Sequence, residues 1–103
     1  MTMHLGYSNY LTAMVALWFD NNRKHHDAVR GQVEYFRVIS THSGKEYGEA
    51  RFSEWLERYV RRSMTATFEA TGNDDSVAST ILEYGMGLVD WLQLARKYLK
   101  GES

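Results

Sequence analysis

Between residues 52 and 68 the apolar side chains fall at Phe52, Trp55, Leu56, Tyr59, Val60, Met64 and Phe68. Steps of three and four put all of them on one face of an α-helix. Glu54, Glu57, Arg58, Arg61 and Arg62 take most of the remaining positions, with Glu54–Arg58 and Glu57–Arg61 spaced as favourable i,i+4 pairs. A helix from about Glu49 to Ala70 is therefore the firmest expectation. The chain also has no proline in 103 residues. Helix interiors reject proline whereas turn-rich β proteins use it, so its absence leans the same way.

The rest of the chain reads as further helices. One is expected from about Asn9 to Asn21, capped by Ser8 and apolar all round over Ala13 to Phe19, with Asp20-Asn21-Asn22 as its stop. A second runs from about Arg23 to Ser40, with Val29, Val33 and Phe36 as its stripe. Gly31 inside it either admits a close neighbour or is tolerated. Thr41 to Gly48 reads as a loop tightest at Ser43-Gly44. Beyond a Gly72 cap, Val77, Ala78, Ile81, Leu82 and Leu88 make another buried stripe. Two readings stay open there. Gly85 and Gly87, followed by the capping-box form Asp90-Trp91-Leu92-Gln93, favour a break and a short helix through Leu99. The alternative is one continuous helix from Ser76 to Tyr98. The expected architecture is all-α: one domain over residues 1–103, a compact bundle of four to five helices. Helix one lies inside, helices two and three are antiparallel, and the C-terminal segment closes the core.

Composition narrows the function classes. Three Trp, seven Tyr and four Phe are a generous aromatic supply, and some are expected at the surface, where Tyr and Trp anchor protein interfaces. The longest apolar run, Ala13 to Phe19, is far short of the roughly 20 residues of a membrane span. Nor does Met1-Thr2-Met3-His4 open like a signal peptide. Cysteine is absent, which removes disulfides, thiolate catalysis and cysteine-ligated zinc. No membrane association and a cytoplasmic location are expected. Net charge is −1, and its distribution is mildly polar: residues 1–62 carry nine Lys/Arg against seven Asp/Glu, residues 63–103 three against six.

No catalytic signature emerges. There is no G-x-S-x-G elbow, no G-x-G-x-x-G and no G-K-[ST]. His25-His26 point about 100° apart on a helix and cannot share one metal as an i,i+4 pair can. Glu46/Glu49 and Asp74/Asp75 fall at expected helix ends, where capping accounts for them. No enzyme activity, no cofactor and no metal site are expected. The informative cluster is basic: Arg51, Arg58, Arg61 and Arg62, joined by Lys24, Arg30 and Arg37 if helices two and three lie side by side. Tyr35, Tyr47 and Tyr59 are interleaved and could stack on bases. Against a nucleic-acid reading, Glu34, Glu49, Glu54 and Glu57 share those helices. Arg58, Tyr59, Arg61 and Arg62 are the residues expected to bind a partner, and Trp18, Trp55 and Trp91 are expected to be structural.

Gly6-Tyr7-Ser8-Asn9-Tyr10-Leu11-Thr12-Ala13-Met14-Val15-Ala16-Leu17-Trp18 resembles the opening of a group of small, uncharacterised phage and mobile-element proteins, G-W-T-N-Y-E-T-W-x-V-A-L-W. Val89-Asp90-Trp91-Leu92-Gln93-Leu94-Ala95 resembles the close of the same group, V-[ND]-W-x-x-I-A. Leu11 stands where the group has Glu, and Ala13 where it has Trp. The resemblance implies a phage or mobile-element origin and a bacterial host cytoplasm. Small non-catalytic proteins of that origin often occupy a host protein. The expected function is thus an anti-defence inhibitor, foremost an anti-CRISPR protein that binds a Cas effector subunit and blocks nucleic-acid or partner binding. The alternative is a helical nucleic-acid-binding or regulatory protein using the Arg-rich face. The chain is expected to be a monomer, or a homodimer through helix one.

Overall fold

Asn9 opens the first helix. Its extended backbone leaves the side-chain carbonyl free to accept from Thr12 N (2.8 Å) and Thr12 Oγ1 (2.9 Å), so Asn9 and not Ser8 is the cap of α1, Tyr10–Asp20. Asn22 does the same for α2, Arg23–Ser43, accepting from Lys24 N and His25 N. Together with α3, Lys45–Thr71, and α4, Trp91–Leu99, these are the helices of a computed structural model that describes residues 6–71 and 84–101, with side chains described to residue 66 in the first span. Among the described residues the fold is all-α, without a strand. The Gly72 cap, the Val77, Ala78, Ile81 and Leu82 stripe, the Asp74/Asp75 pair and the Phe68 side chain lie outside the described residues.

The loop expected over residues 41–48 does not form. Helix α2 continues to Ser43, one residue reverses the chain, and α3 begins at Lys45. Two glycines make this turn. Gly44 adopts φ +108°, a region L side chains rarely enter. Gly48 lies against α2, where an added Cβ would stand 2.9 Å from the Ser40 Cα and closer still to its side chain. Gly31, by contrast, has open space around it and is merely tolerated.

Helices α2 and α3 form an antiparallel hairpin: His25 meets Tyr59 near one end, Phe36 stacks on Phe52 midway, and Ser40 abuts Gly48 at the turn. The expected stripe of α3 is its buried face, with Phe52, Leu56, Val60 and Met64 all fully covered. Helix α1 inserts Val15, Ala16 and Phe19 from one side. It is not wholly inside, since Leu17 is 44% exposed. Leu11 and Ala13, the two departures from the resembled group, both lie against the core.

The C-terminal segment breaks where the capping box is read. Asp90 caps α4 by accepting from Gln93 N at 3.0 Å. Leu94, Ala95 and Tyr98 then close the core, Tyr98 against Phe19 and Phe52. Leu88 falls in the turn ahead of this helix and is exposed, contrary to its place in an expected buried stripe. The second half of the box is also reassigned. The Asp90 N–H donates to Thr12 Oγ1 (2.8 Å), which frees the Gln93 side chain to accept from Ser8 N (2.8 Å). Ser8 Oγ donates to Asp90 Oδ2 (3.0 Å), and Asn9 Nδ2 donates to the Leu88 carbonyl (2.9 Å). The two segments that carry the resemblance thus meet in one polar joint. No described helix is long and apolar enough to cross a membrane.

Candidate functional site

One face of the α2–α3 hairpin is covered by α1 and α4, and the other carries an open groove of about 560 Å³. Tyr35, Phe36 and Ile39 line it from α2, and Tyr47, Arg51, Trp55, Arg58, Arg61 and Arg62 from α3. Local sequence explains the α3 wall. Arg51, Trp55, Arg58 and Arg62 stand at i, i+4, i+7 and i+11, one row along the helix flank. Trp55 is half-buried and stacked on Tyr59 at 5.1 Å, forming the apolar middle of that row. Across from it, Tyr35 is 59% exposed, while Tyr47 near the turn is 52% exposed.

The arginines are tethered mostly along their own helix. Glu54 Oε1 lies 3.4 Å from Arg51 and 3.7 Å from Arg58, and Glu57 Oε2 accepts from Arg61 at 3.2 Å. These pairs are solvent-exposed, and such pairs contribute at most about 1 kcal/mol each. They orient the guanidinium groups without consuming them. Arg62 has no ion pair among the described residues.

Of the four residues expected to bind a partner, Arg58, Arg61 and Arg62 line the groove and Tyr59 does not. Tyr59 turns inward, where its hydroxyl lies 2.8 Å from His25 Nδ1 and its ring packs near Phe19. Nor does the wider basic face form as one surface. Arg30 and Arg37 line a separate depression of about 420 Å³ with His26, Glu34 and Tyr98. Residues 35 and 37 are two apart, about 200° around a helix, so Tyr35 and Arg37 must face opposite ways. There Arg37 donates to the Leu99 carbonyl at 3.0 Å and pairs with Glu34, acting as a tie to α4.

His25 is a residue whose role no spacing revealed. It is 9% exposed, lies flat on Trp18 at a 4.0 Å ring separation, and meets Tyr59. Burial, with the Lys24 charge adding, lowers its pKa below the ordinary histidine value. It therefore holds neutral imidazole between three helices. Its neighbour His26 faces elsewhere, and among the described residues no three His, Cys, Asp or Glu side chains gather as a metal site. Glu49, expected at a helix end, is instead buried and accepts from Arg96 Nε at 3.1 Å, joining α3 to α4. Burial, then the Asp20 charge, raises the Tyr98 phenol far above its ordinary value, and the same causes raise Tyr7. Both phenols stay neutral and structural.

The groove sets planar guanidinium donors beside exposed rings. No family model, curated protein or solved structure matches this chain.

Proposed function

We propose that the chain is a non-catalytic binding protein that occludes a host protein, with the α2–α3 groove as its docking surface. The observation that carries the reading is the gathering of Arg51, Arg58, Arg61 and Arg62 with Tyr35, Tyr47 and Trp55 on the hairpin face that no other described helix covers. Trp, Tyr and Arg are the residues that dominate binding energy at protein interfaces. Glu54 and Glu57 within the same surface fit the mixed charge of a protein contact better than a continuous phosphate track.

The resemblance of both chain ends to phage and mobile-element proteins supplies the class of partner. On that basis we place the chain among anti-defence inhibitors, with a CRISPR-Cas effector subunit as the foremost target. Expression in bacteria carrying an active CRISPR-Cas system, challenged with a targeted plasmid, tests it. Interference should be relieved by the wild type and restored by Arg58→Ala/Arg62→Ala. Unrelieved interference across the effector types tried would remove this target.

A second reading, nucleic-acid binding, is favoured by the exposed Tyr35 and Tyr47 beside guanidinium groups, since bases stack on such rings. It requires retention of single-stranded nucleic acid at low salt that weakens steeply as salt rises.

A further inference from the structure

We infer that the occupant of the α2–α3 groove is an acidic amphipathic helix of the partner protein, laid along the hairpin; this rests on the groove being the docking surface. Three observations carry it. The first is the form of the surface. Among the described residues the hairpin packs α1 and α4 on one face, and no strand offers an edge for an extended segment to join. Two antiparallel helices with an open seam accept a third along that seam, and an amphipathic helix in a hydrophobic groove is an established mode of recognition.

The second is length. From Tyr47 to Arg62 the α3 wall extends about 22 Å at 1.5 Å per residue, which matches a helix of about fifteen residues. Trp55 is the apolar middle of the α3 wall, with Ile39 and Tyr47 toward the turn and Tyr35 on the facing helix. One apolar stripe on the incoming helix would cover it.

The third is charge. Four arginines line the groove and two glutamates of the same helix pair with three of them, so the cluster stays net positive and asks for carboxylates. Arg51, Arg58 and Arg62 share one row, and carboxylates recurring at one-turn to two-turn intervals on a neighbouring helix can meet them. Glu54 sits between two of these arginines. A polyphosphate has no cation to set against it, whereas a peptide helix can place a lysine there.

The test uses the full chain and a fluorescein-labelled synthetic peptide of about fifteen residues, with Leu at i, i+3, i+7, i+10 and i+14, flanking Glu, and one Lys. The controls are a scrambled peptide of the same composition and a single-stranded oligothymidine, all read by anisotropy. The amphipathic peptide should bind at least about tenfold tighter than the scramble and lose about tenfold on Arg58→Ala/Arg62→Ala, as expected of interface arginines. Equal binding of the scramble, indifference to the double substitution, or tighter binding of the oligonucleotide in the same groove would overturn the inference. Substitutions that restore interference in cells while no peptide binds would defeat the helical occupant alone. Substitutions that leave the cellular effect intact would defeat the docking surface itself.

Discussion

On the face of the α2–α3 hairpin that meets α1 and α4, Phe36 lies parallel to Phe52 at 4.8 Å, Tyr98 closes over them, and Glu49 is answered by Arg96. On the opposite face Tyr35 and Tyr47 stand more than half exposed, and among the described residues three of the four arginines pair with glutamates one turn away on their own helix. Both faces carry aromatic and charged residues. Their difference lies in who supplies the partner: on the covered face another helix of the chain, on the open face nothing in the described structure. Burial on the first holds the fold together, and the second is the surface proposed above for docking.

That contrast can be broken or sharpened by substitution. The largest effect belongs to Phe52→Ala, which empties a fully buried site between Phe36 and Tyr98 and should cost about 3–5 kcal/mol in urea denaturation. Next comes Thr12→Val. It keeps the shape but strips the hydroxyl that receives the Asp90 N–H, and leaving that donor unmet should cost about 1–3 kcal/mol. A loss no larger than that of an exposed substitution would mean the polar joint between the chain ends is incidental.

The pH dependence of stability should carry the signature of His25. Its folded pKa is lowered, so the unfolded chain takes the proton more readily. Stability from this group is complete above the unfolded value of about 6.5 and is lost as pH falls from there through the lowered folded value. His25→Gln should flatten the difference in denaturation midpoint between neutral and mildly acid pH. An unchanged slope would place the titration elsewhere. The smallest effect on folding is expected on the open face, where Tyr35→Ala or Arg58→Ala should each shift stability by no more than about 0.5 kcal/mol.

The covered face was largely legible from sequence, because the stripe from Phe52 to Met64 repeats with the helix period and burial follows it. The Asp90 cap was legible for a similar local reason. The turn was not. A polar, glycine-bearing stretch reads as a loop, and its contraction to Gly44 depends on Gly48 meeting Ser40, a contact between helices. Ser8 and Leu88 were misplaced because the chain ends join each other, which no local pattern encodes. For the groove, the arginines of α3 and the rings Tyr35 and Tyr47 were visible in the sequence, but Arg30, Arg37 and Tyr59 were misplaced: Arg30 and Arg37 line a separate depression, and Tyr59 meets His25 across the hairpin.

The most direct test is a paired measurement on Tyr35→Ala/Arg58→Ala/Arg62→Ala: its urea denaturation midpoint, and its relief of CRISPR interference beside wild type. The account predicts stability within about 1.5 kcal/mol of wild type, the sum of three exposed substitutions, with relief abolished. A protein that loses its fold, or one that keeps both fold and effect, would contradict the division of labour between the two faces.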